Sequence, residues 1–142
     1  MVRWLEPGTE ACEQARTAVA KLRMAGEAIH MTPQNAVEFW NVITRPAEVN
    51  GLGLTPAQAD GELGKLEALF PLLPDKSSIH AEWRRLVVAN GVIGVQAHDA
   101  RLVACLRVHG VTHLLTFNSR HFKNYEGITA VHPSDLSGPS QL

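Results

Sequence analysis

Short apolar runs alternate with longer amphipathic segments along this chain, and no other pattern in the sequence limits the fold as strongly. The runs at 28–31, 113–116 and 128–131 are too brief for helices. Two Thr-Pro pairs, beginning at Thr32 and Thr55, are typical of an N-cap followed by a first-turn proline. Because strands that alternate with helices form βα units around a buried sheet, the sequence predicts an α/β fold with a mostly parallel central sheet.

Five helices and four strands are predicted from apolar periodicity, capping residues and helix-ending glycines. The predicted helices run from Thr9 to about Gly26, from Pro33 to before Pro46, from Pro56 to about Phe70, from Ser77 or Ser78 to before Gly91, and from about Ala97 to His109. In the second helix the predicted apolar face consists of Ala36, Val37, Trp40 and Ile43. The predicted strands are 28–31, 72–73, 113–116 and 128–131.

The composition indicates a globular protein of one domain. The chain has 142 residues, of which 45% are hydrophobic and 19% charged, which is too apolar for a disordered chain. The formal net charge is −1, so contact with nucleic acid or anionic lipid would need a local basic patch. Cys12 and Cys105 lack metal-ligand spacing and are predicted to be reduced. Neither a signal peptide nor a membrane span is recognisable, and we expect a cytoplasmic protein without membrane contact.

Three side chains with oxygen donors follow predicted strands or begin predicted helices. Glu38 lies on the polar face of the helix that follows the first predicted strand, and Asp99 lies in the first turn of a helix after a glycine-rich loop. Asn118 follows the strand at 113–116. Because ligands bind at the carboxyl ends of strands in open α/β sheets, these positions favour a site for Mg²⁺ or Mn²⁺.

Three ordered motifs resemble those of the PIN domain, the metal-dependent ribonuclease fold of VapC-type toxins. They are TPQNAVEFW at 32–40, HDARLV at 98–103 and LLTFN at 114–118. The resemblance runs from about Leu5 to Pro133, nearly the whole chain. It implies a three-layer α/β/α domain over residues 1–133, followed by a polar tail at 134–142.

The same resemblance implies cleavage of RNA phosphodiesters with the help of one or two divalent ions, Mg²⁺ or Mn²⁺. Glu38 and Asp99 match two of the acidic metal ligands of the family, and Asn118 occupies the place of a fourth residue that is often acidic. Arg45, Arg101 and Arg120 flank these positions and are candidates for contact with RNA phosphates. A toxin of this type implies a small antitoxin as partner, and a homodimer is expected.

The first strand of the family and its aspartate have no counterpart in the opening residues 1–8. We therefore expect the natural protein to begin upstream and to carry one more acidic residue. Without that residue the metal site would hold less negative charge and bind ions less tightly. The alternative function is accordingly a PIN-like remnant that binds RNA or an antitoxin without cleavage.

Other interpretations of the same residues remain open. Glu38 is equally typical of a solvated helix face, Asp99 of a carboxylate at a helix start, and Asn118 of a cap on the turn before Phe122. The seven histidines show no zinc-ligand spacing. A small-molecule-binding α/β domain is disfavoured because the chain has no glycine-rich phosphate loop.

Overall fold

The protein divides after Leu73 into two compact units, which we call the first unit and the second unit. The structure is a computed structural model and describes residues 10–136. Three helices belong to the first unit: α1 (Glu10–Met24), α2 (Pro33–Thr44) and α3 (Pro56–Leu69). The second unit contains α4 (Ser77–Ala89), α5 (Gln96–Val108), β1 (His113–Leu115) and β2 (Thr129–Val131).

Both predicted Thr-Pro helix starts in the first unit are confirmed. Thr32 accepts a hydrogen bond from the backbone N–H of Asn35, and the Asn35 side chain accepts one from the Thr32 backbone, which together form a capping box at α2. Thr55 and Gln58 make the same reciprocal pair at α3. These caps satisfy backbone donors that the first turn of a helix leaves unpaired, and they set where both helices begin.

The core of the first unit lies between α2 and α3. Six side chains form its buried cluster: Met31, Phe39, Ile43, Ala59, Leu66 and Phe70. The predicted apolar face of α2 is partly wrong, because Phe39 is buried while the side chain of Val37 is 69% exposed. Ile43 and Phe39 share the inward face of the helix because residues four apart lie one above the other.

The strands predicted at 28–31 and 72–73 are reduced to one parallel bridge between Met31 and Leu72. The backbone N–H of Met31 donates to the Pro71 carbonyl at 3.2 Å, and that of Leu73 donates to the Met31 carbonyl at 2.8 Å. The two apolar runs lie side by side in parallel, but their pairing extends over too few residues to make a strand.

The second unit combines a helix pair with a small sheet. Helices α4 and α5 pack on each other, and β1 pairs with β2 in parallel, with His113 opposite Thr129 and Leu115 opposite Val131. The predicted strands at 113–116 and 128–131 and their parallel pairing are confirmed. In the described residues this two-stranded sheet and the Met31 bridge are the whole of the β-structure, so the three-layer arrangement remains a prediction.

Helix ends in the second unit differ slightly from those expected. Helix α4 begins at Ser77 after Lys76, and neither predicted serine caps it with its side chain. Gly110 follows α5 with a φ of +70°, as expected for a helix-ending glycine. A 3-10 helix, Pro133–Leu136, occupies the start of the predicted polar tail, whereas the predicted cap Thr9 lies outside the described residues.

Of the helices between residues 10 and 136, none has the length and apolar character that a membrane span needs.

Candidate active site

Asp99 lies in the first turn of α5, where the partial positive charge of the helix end favours an ionised carboxylate. Its side chain is 33% exposed. The same turn is anchored from the other helix of the pair, because the indole Nε1–H of Trp83 donates to the carbonyl of Ala97 at 3.0 Å. The carboxylate is thus open to solvent while the backbone that carries it is held in place.

The loop after β1 brings a second group of polar side chains to the same region. Thr116 is buried, and its hydroxyl accepts a hydrogen bond from the backbone N–H of Asn118 at 3.0 Å. A 3-10 helix, Ser119–Phe122, follows at once, and the Asn118 side chain makes no capping hydrogen bond to it. Because Asn118 is exposed and does not cap the turn, its amide is available for contact with a ligand.

His121 is the side chain of this loop that contacts Asp99. Its Nδ1 lies 3.6 Å from Oδ2 of Asp99, which is an ion-pair distance and too long for a direct hydrogen bond. Two residues of the same loop, Phe122 and Tyr125, are buried. Burial raises the pKa of the Tyr125 hydroxyl, and the negative charge of Asp99 raises it further.

Glu38 belongs to the first unit and lies on the exposed side of α2. A shallow apolar groove of about 450 Å³ is formed close by on α2 and α3, with Val37, Trp40 and Leu63 among its lining residues. The prediction that Glu38 occupies a solvent-accessible helix face is confirmed, and its role as a metal ligand stays a prediction.

The three arginines predicted to contact RNA differ in whether their guanidinium groups already have partners in the structure. The Arg45 guanidinium donates to the carbonyl of Asn50 at 3.2 and 3.3 Å, so it holds the loop after α2. Arg101 pairs with Asp75 at 3.2 Å. Arg120 is exposed, and the structure gives its side chain no partner among the described residues, so this arginine is the most available for a phosphate.

Sequence reasoning identified Asp99 and Asn118 as members of one region but missed His121 and Tyr125. The sequence signal for His121 was only its position three residues after Asn118. In the structure the backbone N–H of His121 donates to the Asn118 carbonyl at 3.0 Å. Among the described residues no group of three or more His, Cys, Asp or Glu side chains is assembled that could hold a metal ion.

The family comparison decides the class of the protein. The PIN domain family matches residues 2–128, which covers most of the chain and includes Glu38, Asp99 and Asn118. The chain belongs to the PIN domain family. Among curated proteins no match to it is found. PIN domains are generally nucleases that bind RNA and use divalent metal ions. Membership of this family therefore indicates that the chain is a nuclease.

A divalent ion fits the donors that this PIN domain presents. Mg²⁺ is usually held by one or two carboxylates, with waters and substrate phosphates completing its coordination. Asp99 is a partly exposed carboxylate in an anchored helix turn, and Asn118 offers an amide oxygen in the adjoining loop. These donors are of the type that Mg²⁺ binds.

Proposed function

We propose that this PIN domain is a divalent-metal-dependent endoribonuclease that cleaves RNA phosphodiesters with Mg²⁺ or Mn²⁺. The family match over residues 2–128 carries the proposal. The anchored, solvent-accessible carboxylate of Asp99 beside the loop of Asn118 supports it. A site of this kind suits RNA, because a phosphodiester is anionic and needs positive charge nearby when it is attacked.

In this function Asp99 would be a ligand of the divalent ion, and Glu38 would be a metal ligand as the resemblance of its motif to the family implies. When bound, the ion supplies positive charge that acidifies water and offsets the charge that develops on the phosphodiester. The Asn118 amide would orient a water molecule or a phosphate oxygen without adding negative charge. Arg120, which is exposed in the loop after β1, would bind a backbone phosphate of the RNA.

The test is cleavage of a panel of structured RNAs by the full chain, with Mg²⁺ or Mn²⁺ and with an EDTA control. We expect metal-dependent cleavage that Asp99→Asn reduces by about a hundredfold or more, since loss of outer-shell partners alone costs 10–100-fold. Glu38→Gln should reduce it similarly. Asp60→Asn removes an exposed carboxylate of α3 and serves as the matched control with unchanged activity.

The biological role that we propose is that of the toxin in a type II toxin–antitoxin pair, acting in the cytoplasm as a homodimer that a small antitoxin neutralises. The ordered motifs around Glu38, Asp99 and Asn118, which resemble VapC-type toxins, support this role. Induced in a bacterial host, the wild-type chain should arrest growth and Asp99→Asn should not. Light scattering after size-exclusion chromatography measures the molar mass, which should be that of a dimer.

A PIN remnant that binds RNA or antitoxin without cleavage is the second candidate. It is favoured by the absence, among residues 10–136, of a preassembled cluster of three acidic or imidazole ligands. A folded chain that binds RNA in fluorescence anisotropy but never cleaves it, with either ion, would establish the remnant and refute the nuclease.

A further inference from the structure

His121 places a donor atom beside Asp99 that the acidic ligands of the proposed nuclease site do not include. The two residues come from different elements, the loop after β1 and the first turn of α5, and their Nδ1 and Oδ2 atoms are 3.6 Å apart. Two atoms bound to one ion at about 2.1 Å each, with an angle of about 90–120° at the ion, are roughly 3.0–3.6 Å apart. The observed separation, which is also that of an ordinary ion pair, lies at the upper end of this range.

We propose that His121 Nδ1 and Asp99 Oδ2 bind the same divalent ion, and that this pair makes the site prefer a transition-metal ion such as Mn²⁺ over Mg²⁺. This inference rests on the proposed function, because it assigns a ligand to that same site. Mn²⁺ shares with Mg²⁺ a preference for carboxylate and water oxygens, but as a transition-metal ion it accepts an imidazole nitrogen more readily than Mg²⁺, which keeps to oxygen ligands. One imidazole in the coordination shell therefore favours Mn²⁺.

The surroundings of His121 allow it to act as a ligand. Its side chain is 62% exposed, so the ring can make the small rotation that coordination requires without unpacking the core. Its backbone is fixed by the hydrogen bond to Asn118 and by the buried neighbours Phe122 and Tyr125 in the same loop. An exposed ring on a hydrogen-bonded backbone next to an anchored carboxylate is a suitable arrangement for a partly open metal site.

Two substitutions complement His121→Ala, one as a matched control and one that exchanges the nitrogen donor for oxygen. His113 is an exposed histidine at the other end of β1, so His113→Ala is the matched control for His121→Ala. In His121→Asp the carboxylate oxygen is as many bonds from the backbone as the replaced Nδ1, so an oxygen donor takes nearly the same place. This variant should bind Mg²⁺ more tightly than the wild type, because the new carboxylate lies within reach of the ion; an unchanged Mg²⁺ affinity would place residue 121 outside the coordination shell.

The experiment measures Mn²⁺ affinity of the full chain by electron paramagnetic resonance and Mg²⁺ affinity by competition. We expect His121→Ala to weaken Mn²⁺ binding by about tenfold or more and to change Mg²⁺ binding by less than about twofold. The electron spin echo of the wild-type Mn²⁺ complex should show coupling to an imidazole nitrogen, which His113→Ala keeps and His121→Ala loses. Circular dichroism confirms that each variant is folded.

The outcomes separate this inference from the proposed function. If the nitrogen coupling or the Mn²⁺ affinity of His121→Ala equals that of the wild type while Asp99→Asn abolishes binding, His121 is not a ligand and the nuclease proposal survives. If the wild type binds neither ion, or if Asp99→Asn leaves Mn²⁺ binding unchanged, both proposals fail.

Discussion

Thr32→Ala is expected to remove a helix cap that is buried. The resulting loss in free energy of unfolding should exceed the loss from the same change at an exposed cap. Thr32 is 2% exposed. Its hydroxyl accepts from the Asn35 N–H at 3.2 Å and donates to the Asn35 side-chain oxygen at 2.9 Å, while the Thr32 N–H donates to that same oxygen. Alanine therefore leaves the backbone N–H of Asn35 without its hydroxyl acceptor, at a position that is only partly open to water.

The magnitude follows from these contacts. Loss of an N-cap side chain costs about 1 kcal/mol and up to about 2 where the groups are well ordered. The buried methyl of Thr32 adds about 0.8 kcal/mol. Thr32→Ala should thus lower the free energy of unfolding by about 2–3 kcal/mol. Thr32→Ser keeps the hydroxyl and should lower it by only about 1 kcal/mol.

Urea denaturation followed by circular dichroism measures these differences, provided that the slope of unfolding free energy against urea is the same for each variant. Thr55→Ala is the matched control, because Thr55 and Gln58 form the same capping box at α3 on the exposed surface. Thr55→Ala should lower the free energy of unfolding by about 1 kcal/mol. Equal losses for the two alanine variants, or equal losses for Thr32→Ser and Thr32→Ala, would refute the argument that burial of the cap sets its contribution.

Three further changes should give measurable effects in the same denaturation assay. Gly51→Ala should destabilise the protein by more than about 1 kcal/mol, because a Cβ there collides with the backbone carbonyl of Arg45. Gly64→Ala should stabilise it by about 0.5–1 kcal/mol, because this glycine lies on the exposed side of α3 with open space around it. The hydrogen bond from Arg85 lowers the pKa of Glu82, so Glu82→Gln should destabilise the protein near neutral pH and lose that effect as the pH falls below about 4.

The sign of the pH effect follows from the lowered pKa of the folded state. A carboxyl with a depressed pKa contributes stability above its unfolded pKa of about 4.3, and that contribution disappears as the pH falls through the folded pKa. Glu62→Gln is the control, since Glu62 pairs with Lys65 on the exposed surface and should contribute less than about 0.5 kcal/mol at any pH. A Glu82→Gln difference that persists in acid, a stabilising Gly51→Ala or a destabilising Gly64→Ala would contradict these arguments.

Helix starts were the most predictable part of this fold. The Thr-Pro pairs at Thr32 and Thr55 determine where α2 and α3 begin, because a cap and a first-turn proline act within a few residues of each other. The inward face of α2 was less predictable, since Val37 and Phe39 both satisfy an apolar pattern and only packing against α3 decides which is buried. The run at 28–31 likewise became a bridge because pairing depends on a partner far along the chain.

The sequence by itself determined the family, the five helices, the two strands near 113–116 and 128–131 and the candidate carboxylates, because these are recorded in motif order and local periodicity. The tertiary structure alone decided that the ring of His121 contacts Asp99, that Trp83 anchors the turn that carries this carboxylate, and that Asn118 leaves its turn uncapped. Contacts between residues on different elements depend on how helices and loops pack, and no local spacing encodes that packing.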